Sequence, residues 1–371
     1  MRRSGKVLTG VDRVELAYLT ALLQDAVPVF GLIRSKIGYI LLDQAGLAEL
    51  RPYFSAPNAS ADTHHRDTWR CARRCSIGRV PPVLLKPMLG RKMPAGFAYL
   101  NVGHSNLTER VLRTMRALDA RITVLIHDVI PLDFPEFQRA GTVQPFAQMI
   151  ARVGAYADLM IYNSQDTKMR TEAHLPVPPQ AIVSHLGTDV AAPAPDDIPA
   201  GLPIKAPFFV SIGTIEPRKN HAFLLDIWAE MGPDAPGLIL AGGRGWNNEA
   251  VFARLDALQS DGPVREVAGL SDGALAALVE RSAGVLFPTH AEGFGLPATE
   301  AAARGVPVIV NDLPVMREIL GDIPIYASVS DRYLWINKIK ELASRGPDAS
   351  KQQPFVPPKW DAHFKTVLRL T

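Results

Sequence analysis

The feature that most constrains this chain is the regular alternation of buried strand and helix through its second half. It is clearest around Ala283-Gly284-Val285-Leu286-Phe287, an apolar run that stops at Pro288. A short apolar run bounded by a proline reads as a strand covered on both faces. A loop follows, and from Pro297 the chain reads as helix, because Pro suits the first helical position and Ala301, Ala302 and Ala303 come next. Comparable runs near 207–212, 238–241, 264–268 and 306–310 are separated by helical patterns. Such alternation predicts a parallel sheet with helices on both faces. Ligands of open α/β sheets bind outside the carboxyl ends of the strands.

Two loops at those ends carry chemistry. In Ala291-Glu292-Gly293-Phe294-Gly295-Leu296-Pro297-Ala298-Thr299-Glu300, two carboxylates lie eight positions apart across a Gly-rich turn. The amides of Phe294, Gly295 and Leu296 stand before a helix N-terminus, a place that favours anions, and the glycines let a ligand approach the main chain. In Gly213-Thr214-Ile215-Glu216-Pro217-Arg218-Lys219-Asn220, two cations occupy another strand-to-helix junction. Carboxylates accept from hydroxyls, while amides and cations hold phosphates, so the pair of loops suits a sugar joined to a diphosphate. The plainer alternatives are a structural Gly-rich turn and a solvated pair of surface cations.

These two motifs resemble the C-terminal half of the retaining, nucleotide-sugar-dependent glycosyltransferases of family 4, with the GT-B fold. Gly242-Gly243-Arg244-Gly245-Trp246, Ile126-His127-Asp128-Val129-Ile130-Pro131-Leu132, Phe134-Pro135-Glu136, Tyr162-Asn163-Ser164 and Thr9-Gly10-Val11-Asp12-Arg13 extend the likeness over nearly the whole chain. The resemblance implies two facing Rossmann-like domains: residues 1–195 for the acceptor, 196–345 for the nucleotide sugar, and a tail helix within 346–371 that crosses back. It implies that Glu300 accepts from the nucleotide ribose and Glu292 meets the sugar hydroxyls. Phe294, Gly295 and Leu296 would offer amides, and Gly213, Thr214 and Gly10 would line the donor site. Arg218 and Lys219 would neutralise the diphosphate, and His127 would present its side chain to the sugar and its carbonyl to the anomeric carbon. His104, Ser105 and Asp128 are acceptor-side candidates, with Asp128 orienting His127 or capping a helix. Trp246 falls near the base or simply packs. Thr214 departs from the pattern, because several relatives carry an Arg there.

The donor implied is a nucleotide diphosphate hexose, with a lean to GDP-mannose. The acceptor is a saccharide or lipid-linked saccharide of bacterial polysaccharide synthesis. No Asp-x-Asp motif is present, and the expectation is no cofactor and no obligatory metal. A sugar-nucleotide 2-epimerase of the same fold and a non-catalytic relative are the rival readings.

Composition narrows the setting. The chain has 371 residues, enough for two domains, and a hydrophobic share of 47% supports sizeable cores. It has two cysteines, Cys71 and Cys75, which points to a reducing compartment. No apolar run of membrane-spanning length occurs, and the basic Met1–Lys6 start is not followed by a signal-like stretch; the reading is cytoplasmic. Residues 1–8 are too basic and short for a convincing core strand, so the expectation is that either the chain begins late or the first domain's opening strand is weak. Net charge is +7 over 1–195 and −4 over 196–371. The densest basic stretch, Arg66 to Lys92, interleaves Val83, Leu84, Leu85, Met88 and Leu89, a pattern suited either to a solvated loop or to peripheral contact with an anionic inner-membrane leaflet. No nucleic-acid motif accompanies the charge. His64-His65 with Cys71-x3-Cys75 suggests zinc, but the spacing is unlike structural zinc sites. The Pro-rich run 191–203 reads as a linker.

Overall fold

The computed structural model describes residues 8–55, 61–200, 202, 206–259, 262–350 and 353–371. Thirteen strands among them form three sheets. The second half builds a six-stranded parallel sheet from β8 (Phe208–Ile212), β9 (Gly237–Ala241), β10 (Val264–Val267), β11 (Gly284–Phe287), β12 (Val308–Val310) and β13 (Ile325–Tyr326), in the order β10-β9-β8-β11-β12-β13. The order reverses between β8 and β11, and the two motif-bearing loops leave from those two neighbouring strands. That is the switch point where a doubly wound sheet opens a crevice. Phe209, Leu238, Leu240, Leu286 and Ile309 are fully buried under Phe223, Leu224, Trp228 and Trp335. The short β13 falls outside the strands read from the sequence.

The first half contains a four-stranded parallel sheet of β4 (Ala98–Asn101), β5 (Arg121–Ile126), β6 (Leu159–Tyr162) and β7 (Ala181–Val183), in sequential order. Ahead of it lies something the sequence reading did not anticipate. β1 (Gly31–Ser35), β2 (Gly38–Leu42) and β3 (Ser76–Val80) form a separate antiparallel sheet. Ser35 pairs with Gly38, so only Lys36 and Ile37 join the strands, and a two-residue connection can only give an antiparallel pair. The place of the opening strand, residues 1–7, lies outside the described residues.

The basic stretch 66–92 is also corrected. It spans the end of helix Ala61–Arg74, β3 and helix Leu85–Lys92. Leu85, Met88 and Leu89 are buried in the core against Val111, Leu112 and Met115. Of the interleaved apolar residues only Val83 and Leu84 are exposed, so most of the proposed membrane face is interior. Helical spacing put those three residues on one face, and burial in the protein's own core satisfied it.

The helix Gly10–Gln24 begins at a capping box, with Thr9 accepting from the Asp12 amide and Asp12 returning the bond. Its Val14 and Tyr18 join a core cluster that also holds Phe208, Phe287 and Phe294 of the second half, so the two halves share apolar packing. The final segment runs between them. The Phe355 amide donates to the Ala302 carbonyl, and the Thr188 amide donates to the Pro358 carbonyl. His363 of helix Trp360–Val367 then lies 2.6 Å from the Tyr18 hydroxyl and 3.0 Å from that of Ser184. Trp360 stacks on Phe364, and both rings meet Tyr18. Of the 191–203 run, Ala194 meets the second half, its amide donating to the Gly273 carbonyl.

Candidate active site

The loops after β8 and β11 are fastened to each other. Thr289 donates its hydroxyl to the carbonyls of Arg218 and Ala291, and the His290 amide also donates to the Arg218 carbonyl. Asn311 after β12 donates to the Thr289 carbonyl. This bracing brings Arg218 Nη1 to 2.9 Å and Lys219 Nζ to 2.7 Å from the same oxygen, Oε2 of Glu292. Arg218 also pairs with Glu216 at 2.7 Å, and the Lys219 ammonium sits 4.6 Å over the Phe287 ring. Gly213 takes φ 139°, and a Cβ there would press on Cε of Lys219 at 3.1 Å; only glycine fits this turn without crowding the lysine.

Burial sets the electrostatics of the cluster. It pushes the Glu292 carboxyl up, but Lys219 and Arg218 outweigh it and hold the group below the usual carboxylate range. Burial pulls Arg218 down, and Glu292, Glu216 and Asp128 together reverse this and raise it. For Lys219 burial prevails over Glu292, so the ammonium is more easily deprotonated than a free lysine. Burial also raises Asp128, against the pull of Arg218. Glu292 and Glu216 offset Arg218 and Lys219, which leaves these four groups near neutral together.

At the other end of the loop, Gly295 takes φ 89° and starts helix Leu296–Ala303 with no side-chain cap. The amides of Gly295 and Leu296 meet no acceptor among the described residues, so the helix N-terminus keeps donors for an anion. Phe294 is buried in the shared core. Glu300 lies one turn in and meets Arg13 of the first half, Nη2 to Oε1 at 2.5 Å. Burial raises the Glu300 carboxyl against the pull of Arg13. A cavity of about 360 Å³ opens beside them, lined by Ile212, Asp189, Asp272, Leu275 and Pro297.

The halves are closed on one another at this loop. A Cβ on Gly293 would lie 2.3 Å from the His127 carbonyl oxygen, so glycine is required for the approach. The Gly293 carbonyl accepts from the Ser164 and Thr167 hydroxyls, and Asn163 Nδ2 donates to the His127 carbonyl. His127 is buried with Nε2 2.6 Å from the Val102 carbonyl, so it is the main chain of His127 that faces the second half. His104, at φ 58°, stands beside it with rings 5.1 Å apart. Ser105 is exposed on the same loop. Asp128 accepts from the Ile130 amide. Together with His290 and Glu292 it lines a second cavity of about 350 Å³. Gly10 lies within van der Waals reach of Leu296, since a Cβ there would be 3.7 Å from its side chain. Thr214 packs toward Gly245. Trp246 donates to the Phe137 carbonyl across the halves, with the Arg139 guanidinium 4.7 Å over its ring.

Residues 196–341 match the family described as glycosyl transferases group 1. The second half carries a group 1 glycosyltransferase domain. Among curated relatives, the serotype-specific mannosyltransferase WbdA of Escherichia coli is 33% identical over 239 residues, which cover 58% of this chain and 29% of WbdA. The O-antigen chain mannosyltransferase RfbU of Salmonella typhimurium is 30% identical over 148 residues, covering 39% of this chain and 40% of that protein. The chain thus spans less than half the length of either. Among solved structures, Anabaena HepE in complex with UDP-glucose superposes with a TM-score of 0.59 at 16% identity, covering 78% of this chain and 82% of that one. Sucrose-phosphate synthase from Thermosynechococcus elongatus gives 0.53 at 17% identity over 80% and 74%. The fold is GT-B.

The structure gathers Glu292, Arg218, Lys219, Gly213, Phe294 and Gly295 with the His127 main chain at one place, and Glu300, Leu296 and Gly10 at the next. His104 and Ser105 lie one loop further into the first half. Sequence reasoning gave no role to Glu216, the second acid on Arg218, or to Glu318, which accepts from the Gln165 and Asp166 amides and pairs with His185. It mentioned Arg13 only as a neighbour of Gly10. Arg13 stands one helical turn after Gly10, and that spacing was the available signal; Glu318 lies far from every motif and gave none.

Proposed function

We propose that this chain is a retaining hexosyltransferase that moves mannose from GDP-mannose to a lipid-linked saccharide acceptor during bacterial polysaccharide assembly. The observation that carries the reading is the Glu292–Arg218–Lys219 cluster at the sheet's switch point, set beside the free amides that open helix Leu296–Ala303. The likeness to O-antigen mannosyltransferases supports the choice of sugar.

In this reading the diphosphate lies against the helix amides with Lys219 and Arg218 behind it. As the glycosidic bond breaks, charge grows on the leaving phosphate, and donors already in place stabilise it without reorganising. Glu292 Oε1 accepts from a sugar hydroxyl. Glu300 accepts from the ribose once Arg13 has moved aside. The main chain around His127 and Gly293 presses on the anomeric side. The acceptor hydroxyl attacks on the face the diphosphate leaves and gives its proton to that phosphate, so configuration is retained without a glycosidase-type carboxylate pair. No divalent ion is required, because the cations stand where a metal would. Ile37, Val83 and Leu84 are exposed on the first half, and Lys36, Arg79 and Lys86 flank them in the sequence; this small face contacts the anionic cytoplasmic leaflet.

The test is to incubate the chain with GDP-mannose or UDP-glucose and mannose-terminated lipid-linked acceptors, and to analyse products by mass spectrometry and anomeric NMR. An α-mannosylated product formed from GDP-mannose supports the proposal. Sugar-nucleotide conversion without any acceptor indicates the epimerase, and donor binding without turnover a non-catalytic protein.

A further inference from the structure

The first half holds a group of side chains that the donor chemistry does not use. Cys71 is buried near the end of helix Ala61–Arg74, and Cys75 follows that helix on the way into β3. Their sulfurs lie 3.9 Å apart. Glu49, on helix Gln44–Leu50, brings Oε2 to 3.8 Å from the Cys75 sulfur, and the three ligand atoms all lie within 4.8 Å of one another. We propose that Glu49, Cys71 and Cys75 form a binding site for a zinc-class cation, which clips helix Gln44–Leu50 to the end of the Cys-bearing helix.

The distances carry the argument. At Zn–S of ~2.3 Å, two thiolates on a tetrahedral ion stand about 3.8 Å apart, and a carboxylate oxygen stands about 3.6 Å from each sulfur. Two of the three edges, at 3.9 Å and 3.8 Å, are already those of a tetrahedron, and the third lies within 4.8 Å. A disulfide needs its sulfurs at about 2.05 Å, so these thiols would have to move considerably further to oxidise than to bind. Two thiolates and one carboxylate select a borderline-soft ion over calcium or magnesium. The fourth position is left for water. The sequence spacing of His64-His65 and Cys71-x3-Cys75 is unlike structural zinc sites, and Glu49 reaches the two cysteines only through the fold.

The balance is simple. The ion displaces the two thiol protons into the buffer and forms two metal–sulfur bonds and one metal–oxygen bond, with no change of oxidation state. Arg74 now pairs with Glu49 at 3.0 Å; its side chain is 70% exposed and swings to solvent as the ion enters. Because both thiols must lose their protons to bind, binding weakens as pH falls.

The experiment uses the full chain, reduced and stripped with chelator, titrated with zinc chloride against a chromophoric chelator, and with cadmium to read sulfur-to-metal charge transfer. One zinc per chain and a thiolate band are expected. Cys71→Ser with Cys75→Ser should abolish both. Glu49→Gln, at an exposed position where the fold tolerates change, should weaken zinc by more than the roughly tenfold lost with an outer-shell partner. Circular dichroism checks that each variant folds. Stoichiometric zinc that persists in the double Cys variant, no thiolate band with cadmium, or unchanged affinity in Glu49→Gln would each overturn the site.

Discussion

The two carboxylates that flank the Gly293–Gly295 turn are held in different ways. Glu292 is met by Arg218 and Lys219 from its own half, through two loops braced by Thr289 and Asn311. Glu300 is met by Arg13 from the other half. The first arrangement belongs to one sheet and exists whether the cleft is open or closed. The second exists only when the halves are together. One end of the loop is thus a pre-built charge site and the other a closure contact, and substitutions should separate them.

Lys219→Ala should have the largest effect. It removes a cation that the proposed reading sets at the leaving group, and turnover should fall about 10²- to 10³-fold with the circular dichroism spectrum unchanged; steady-state kinetics on the proposed donor reads this. A second test is of pH. His363 anchors the last helix on Tyr18, in the same helix that carries Arg13, and burial holds its pKa at about 4 against 6.5. The neutral form is the folded one, so stability is full above pH 6.5 and falls by up to ~3 kcal/mol as pH drops through 6.5 toward 4, where the unfolded chain takes up the proton first. His221, also buried and pushed to about 4, contributes in the same direction. Denaturant melts at pH 7 and 5 should show about 2 kcal/mol of the His363 loss, and His363→Gln should reduce the pH dependence by about half. Over the same window the lowered Glu292 stays ionised, so the charge site should outlast the closure contact.

Gly293→Ala sharpens the comparison from the other side. Its methyl group would meet the His127 carbonyl and hold the halves apart. A misplacement of about 1 Å costs turnover roughly 10²-fold, while nucleotide affinity, which the proposed reading assigns to the second half, should change far less; titration calorimetry with GDP beside kinetics checks the split. The smallest effect is expected for Arg13→Ala. A partly exposed pair is worth about 1 kcal/mol or less, so donor affinity should change less than about fivefold, whereas Glu300→Ala should weaken it about tenfold. A loss in Arg13→Ala as large as that in Lys219→Ala would break the distinction between the ends of the loop.

The second half was legible because its information is local. Strands on both sides of each motif are continuous apolar runs, turn glycines sit at the strand ends, and Pro297 marks the helix start within one residue of Leu296. The antiparallel β1–β3 sheet was not legible. Its outer strands are only partly buried and give no clean alternation, and the Lys36–Ile37 turn lacks the Asn-Gly signature. Leu85, Met88 and Leu89 looked like a face for lipid because periodicity states which side of a helix is apolar and not what covers it. Long-range pairs such as Arg13 with Glu300, Glu318 with His185, and Glu49 with Cys75 carry no local pattern. The pairing of Glu292 with both cations was not foreseen either, although each of the three residues was singled out.

The most direct test of the charge site is calorimetric titration of GDP-mannose into the wild-type chain and into Lys219→Ala, in chelator and then with magnesium. The account predicts saturable wild-type binding that magnesium leaves unchanged and that weakens at least tenfold in Lys219→Ala. Equal affinity in the two proteins, or wild-type binding that appears only with magnesium, would contradict it.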